Sequence, residues 1–138
     1  MNNIELVKAY IEAFSNGGNS GELNNYISSD FKLHTLHLNA QPVGETQPKN
    51  MEEASKQGTD AFSPSHKTID DIFSDGDRVV VRWTVVATHS GMFMDLPATN
   101  KEVKYSGIDI YRIAEGKIAE LWYVWDRLGL YQELGIAK

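Results

Sequence analysis

With 138 residues, the chain is the size of one domain, 1–138, and long enough to bury a core without covalent staples. Its 13 Lys and Arg against 19 Asp and Glu give a formal net charge of −6, which argues against nucleic acid and anionic membrane surfaces as partners. The absence of cysteine excludes disulfides, thiolate metal sites and thiol nucleophiles, and fits a reducing compartment.

The N-terminus, Met1-Asn2-Asn3-Ile4-Glu5, lacks the basic start and apolar stretch of a signal peptide. No run of about 18 apolar residues follows, so a cytoplasmic protein without a membrane span is expected. Ile4, Val7, Ile11 and Phe14 fall at helical spacing and predict a helix over Ile4–Phe14, capped by Asn3. A glycine-rich turn stops it, and a short helix over Glu22–Ile27 follows. Asp30–Leu38 reads as a first strand carrying His34 and His37. Asn39–Lys49, with Pro42, Gly44 and Pro48, reads as a loop, and Asn50–Ala61 as a weaker amphipathic helix.

The rest is mostly strand. His66–Phe73 runs into the turn Ser74-Asp75-Gly76-Asp77, and the valine-rich Arg78–His89 completes a hairpin. Ser90–Asn100 is a longer hairpin loop. The strands Lys104–Ile113 and Lys117–Asp126 flank the turn Ala114-Glu115-Gly116-Lys117, and Leu128–Leu134 reads as a short closing helix or tail ended by Gly135. Helices first and an antiparallel meander after them predict an α+β arrangement: a curved sheet wrapped around the N-terminal helices.

If Glu115 and Gly116 are the loop residues of the last hairpin, Trp122 falls opposite Asp109, Glu120 opposite Tyr111 and Asp126 opposite Tyr105. One face then interleaves rings with carboxylates, as an apolar pocket with a working acid or base would require. The other face holds Ile108, Ile110, Ala119, Leu121, Tyr123 and Trp125 with Arg112. It calls for a second cover, and a homodimer through this outer sheet face is expected. A one-residue bulge would exchange the two faces.

Asp126 has two readings, a pocket acid/base or the N-cap of the closing helix. His89 and His34 are either pocket residues or hydrogen-bonded structural ones, and His37 is structural. Asp109 is a second pocket carboxylate or the partner of an internal cation, and Glu120 is suited to pair with Arg112 or Lys117. Trp83, Phe93, Met94 and Trp122 are pocket wall or core. No His-x-His or Glu-x-x-His spacing supports a metal, and no Gly-x-Ser-x-Gly or phosphate loop is present.

A series of motifs runs in order: Gly76-Asp77-Arg78-Val79, Thr88-His89-Ser90-Gly91-Met92-Phe93, Pro97-Ala98-Thr99, Gly107-Ile108-Asp109-Ile110-Tyr111-Arg112-Ile113, Gly116-Lys117-Ile118-Ala119-Glu120-Leu121-Trp122, Asp126 and Gln132-Glu133-Leu134-Gly135. The chain resembles the SnoaL-like polyketide cyclase family of the NTF2-like superfamily. The resemblance implies an α+β cone, with a strongly curved, mostly antiparallel sheet, a deep apolar pocket and dimers. It implies acid/base catalysis by the aspartate matching Asp126 in an intramolecular aldol closure, without metal or organic cofactor. His89 and His34 match histidines of the family's pocket region. The reading is a cofactor-independent enzyme of the polyketide or ester cyclase type, acting on an apolar carbonyl compound. Asp126 and His89 would be catalytic, with His34, Tyr105, Asp109, Trp122, Trp83, Phe93 and Met94 around the substrate. The alternative is a non-catalytic module that binds a hydrophobic ligand or dimerises.

Overall fold

The computed structural model describes residues 1–17, 20–35, 56 and 58–137. Helix α1 (Asn3–Tyr10) continues as one π-helical turn over Ile11–Asn16. Its cap is Asn2, one residue earlier than expected. The Asn2 side chain accepts from the Glu5 amide, and Glu5 reaches back to the Asn2 amide, a capping box that satisfies two orphan donors. Ser20–Asn25 forms a 3₁₀ helix in place of the predicted Glu22–Ile27 helix, because Ile27 already starts a strand.

The strands are β1 (Ile27–Thr35), β2 (Phe62–Asp75), β3 (Arg78–His89), β4 (Glu102–Ala114) and β5 (Lys117–Trp125), and helix α2 (Arg127–Leu134) closes the chain. The expected helix over Asn50–Ala61 lies largely outside the described residues, within which 58–61 are helical. His37 and the Asn39–Lys49 loop also lie outside them. The α+β cone is as expected: an open, curled five-stranded sheet ordered β1-β5-β4-β3-β2, antiparallel except where β1 joins β5 in parallel.

Strand β3 shows how the sheet divides inside from outside. Val79, Val81, Trp83, Val85, Ala87 and His89 are buried, and the residues between them are not. This inner face packs on Leu6, Val7, Tyr10, Ile11 and Phe14 of the N-terminal helix. Each fully buried valine or leucine there contributes about 1.5–3 kcal/mol.

The β4–β5 hairpin turns at Glu115 and Gly116 as predicted, with φ of 53° and 75°, the left-handed pair of a two-residue turn. The expected pairing holds for Ala114 with Lys117 and Ile113 with Ile118, and then slips. Ala119 is an extra residue on β5, and Ile118 and Ala119 are consecutive yet both buried. Beyond the bulge Arg112 faces Glu120, Ile110 faces Trp122, Asp109 faces Tyr123 and Gly107 faces Trp125. The predicted pairs Trp122 with Asp109, Glu120 with Tyr111 and Asp126 with Tyr105 are therefore corrected. The inner face receives Asp109 and Tyr111 from β4 with Leu121, Tyr123 and Trp125 from β5. The outer face receives Ile108, Ile110 and Arg112 with Glu120, Trp122 and Val124.

Candidate active site

The inner face carries one carboxylate among the described residues, and it is buried: Asp109 is 4% exposed. Strand alternation puts Tyr111 two residues on and on the same face. Its hydroxyl donates to Asp109 Oδ2 at 2.8 Å. Tyr10, from the last turn of α1, meets Tyr111 edge-on at 6.0 Å between ring centroids. Burial first, and then the negative charge of Asp109, raise both phenols above the usual tyrosine range. Both rings therefore stay protonated as donors beside an acceptor. Across β3, Trp83 lies over Gly107, where an added Cβ would stand 2.5 Å from the indole. The Trp83 Nε1 donor is buried with no hydrogen-bond partner among the described residues. A carboxylate with spare acceptor capacity and an unpaired indole N–H, both in an apolar interior, are costly for folding alone.

A second polar centre stands at the far end of β3. His89 is fully buried. Its Nδ1 lies 2.9 Å from Thr99 Oγ1 and accepts from the Thr99 amide at 3.3 Å, while its Nε2 has no partner among the described residues. Phe62 covers the ring at 5.5 Å, and Phe93 and Tyr105 extend the aromatic wall from Phe62. Tyr105 in turn meets Trp83 and Trp125, and its phenol is pushed up to about 12 by burial. Met94 sits with Asp95 at a two-residue turn between Phe93 and Leu96, both in the left-handed region, and is half-buried. His89 lies eight positions along β3 from Val81, the partner of Asp109, and the rings of Phe62, Tyr105 and Trp83 run between the two centres.

Two expected pocket residues lie outside. The Ala119 bulge turns Trp122 to the outer face, where His34 stacks on it at 5.3 Å and the Arg78 guanidinium covers it at 4.8 Å. His34 Nε2 meets Glu120 at 2.6 Å, and Arg112 donates to the same carboxylate at 3.0 Å. These hydrogen bonds, Arg112's first, hold the Glu120 carboxyl below its usual range. Glu120 thus pairs with Arg112, as its position in the sequence allowed.

Asp126 is exposed, and its Oδ1 accepts from the Gly129 amide at 2.9 Å as the N-cap of α2. It does not share a face with Tyr105 and Asp109. The carboxylate borders an open outer groove of about 460 Å³ with Arg82, Thr84, Ser106, Ile108 and Val124. No three His, Asp or Glu side chains gather as metal ligands would among the described residues, and no described helix is long and apolar enough to cross a membrane.

Tyr10, Tyr111 and Thr99 were not singled out from sequence as site residues. Tyr111 carried a signal, since it is two residues from Asp109 on one strand. Tyr10 shares a helix stripe with Val7 and Phe14 and reads there as core. Thr99 reaches His89 only because the loop folds back, with Asn100 at φ 57° donating to the His89 carbonyl.

The family model for SnoaL-like polyketide cyclases matches residues 4–134. Among solved structures, AclR from Streptomyces galilaeus, a candidate hydroxylase, superposes with a TM-score of 0.83 at 25% identity over 97% of this chain and 96% of its own. A candidate polyketide cyclase from Acidithiobacillus ferrooxidans gives 0.81 at 27% identity over 97% and 94%. IdmH from Streptomyces antibioticus, also a candidate polyketide cyclase, gives 0.78 at 26% identity over 95% and 96%. No curated protein matches the sequence.

Proposed function

The chain belongs to the SnoaL-like polyketide cyclase family, and on that premise we propose that it is a cofactor-independent cyclase-type enzyme whose working acid/base is Asp109. The observation that carries this reading is a buried carboxylate on the inner face of the cone with a single tyrosine donor. Asp109 takes a proton from the carbon beside a substrate carbonyl. The enolate carbon then attacks a second carbonyl carbon of the same molecule, whose π bond opens as the new carbon–carbon bond closes the ring, and the resulting alkoxide takes back the proton held by Asp109. Tyr111 orients Asp109, and Tyr10 and Trp83 supply the neutral donors that a developing enolate oxygen needs. The apolar surroundings suit a flat, carbonyl-bearing compound. Asp126 caps α2 and serves the fold.

The test follows α-hydrogen exchange in D2O by NMR, and ring closure by mass spectrometry, over a panel of aryl ketones and aryl poly-β-ketones. The wild type accelerates exchange, and Asp109→Asn slows it by about 10²–10⁴. Full activity in a folded Asp109→Asn protein overturns the assignment. Retention of panel compounds without any exchange favours a binding module instead. The outer face, with Ile108 and Ile110 exposed, is assigned to a second copy of the chain. A clean monomer at micromolar concentration in sedimentation equilibrium would remove that assignment.

A further inference from the structure

Strand alternation aims Lys67 into the cone. It pairs with Val85 of β3, which is buried on the inner face, and directly paired residues point to the same side. A lysine on an edge strand ordinarily extends its head into water. The Lys67 ammonium instead lies over Trp83, 4.4 Å from the ring centre, and forms no ion pair among the described residues. The backbone that carries it is held as well. The Asn16 carboxamide, at the end of the π-helical turn, accepts from the Lys67 amide at 2.7 Å and donates to the Lys67 carbonyl at 3.1 Å. These two bonds replace the neighbour that the edge strand β2 lacks at that residue. The indole beneath the ammonium is buried, and so is its unpartnered N–H. The Trp83 atom closest to a Cβ built on Gly107 is Cζ2, which borders the N–H edge, so that edge overlies β4. Asp109, two residues along β4, is a diagonal neighbour of Trp83, about 7–8 Å away between backbones.

We infer that Lys67 is a positioning residue for the proposed reaction: its ammonium, held on the π face of Trp83, strengthens the indole N–H as a donor to the enolate oxygen. The inference rests on the reading of Trp83 as that donor. A cation against a ring face draws electron density toward itself and leaves the N–H more positive. The charge is in place before the reaction starts, so no reorganisation is needed as the enolate forms. Lys67 makes no bond to the substrate and moves no proton. Its effect grows as negative charge moves onto the oxygen, so it acts on turnover more than on binding.

The probe is acetophenone, whose methyl hydrogens report exchange in D2O and whose carbonyl oxygen reports hydrogen bonding. The indole N–H resonance of Trp83 is identified by its loss in Trp83→Phe. Acetophenone moves that resonance downfield in the wild type and less far in Lys67→Met, and Lys67→Arg restores the movement; a purely structural lysine would leave it unchanged. In the exchange assay Lys67→Met lowers kcat about tenfold with KM altered less than about twofold, and Lys67→Arg recovers most of the loss. In a Trp83→Phe background Lys67→Met costs nothing further. A Trp83 resonance that ignores acetophenone overturns the inference, and so does an equal response in Lys67→Met. An equal loss of kcat in both backgrounds also overturns it, since Lys67 would then act on the substrate directly. The resonance needs no turnover. Full exchange activity in Asp109→Asn therefore removes the assignment of the base alone, and an unaltered Trp83 response in Lys67→Met removes the role of Lys67 alone.

Discussion

Replacing Asp109 by asparagine separates a working carboxylate from a structural one, because the two readings predict opposite signs. The side chain is 4% exposed and receives one hydrogen bond, from a phenol that burial keeps neutral. Burying a charge with so little compensation costs several kcal/mol. Asparagine keeps the shape and the acceptor for Tyr111, removes the charge, and adds an amide N–H₂ whose burial returns roughly 1–3 kcal/mol of that gain. The net expectation is stabilisation by about 2 kcal/mol. For 138 residues the unfolding entropy is roughly 0.29 kcal/mol/K, so Tm rises by about 7 °C. Thermal melts by circular dichroism, and urea midpoints at unchanged slope, measure this. Tyr111→Phe removes the donor and leaves the acid in place, and it lowers stability by about 2 kcal/mol. An Asp109→Asn protein that melts below the wild type would show a carboxylate required by the fold, and the stability argument for a site would fail.

Three other substitutions read different parts of the structure. Asp126→Ala removes the α2 cap and lowers stability by about 1 kcal/mol, Asp126→Ser restores most of it, and neither changes exchange activity by more than about twofold; a hundredfold loss in both would return Asp126 to the chemistry. Gly107→Ala places a methyl 2.5 Å from the Trp83 ring and 2.6 Å from the Val124 carbonyl, and about 1–3 kcal/mol is lost in urea titration, more than an ordinary strand glycine would cost. Tyr105 has its phenol pushed up to about 12 against about 10 in the unfolded chain. Its contribution is complete below pH 10 and disappears as pH rises through 12. The Tyr105→Phe protein should therefore lose less stability between pH 10 and 12 than the wild type, and identical alkaline curves would contradict the burial of that hydroxyl.

The layer order, the two tight hairpins and the alternation along β3 were legible in the chain, because each is set by near neighbours. Gly76 and the Glu115-Gly116 pair define turns, and period-two burial defines a face. The family motifs were equally legible, since they are strings of adjacent residues. The side of the sheet each β5 residue faces was not local information. The Ala119 bulge moves Trp122 away from Asp109, and it sits where β1 joins β5, with the Ile118 amide donating to the Tyr26 carbonyl across more than 90 residues. One extra residue inverts the side-chain order of everything beyond it, so a correct turn still yielded a wrong face for Trp122 and Asp126. Tyr10 beside Tyr111, and Thr99 against His89, are likewise contacts that only closure of the cone and of the loop creates. Sequence by itself determined the strands and the inventory of acids and rings; tertiary pairing decided that Asp109 faces the interior and that Asp126, the carboxylate the motif favours, caps a helix at the surface.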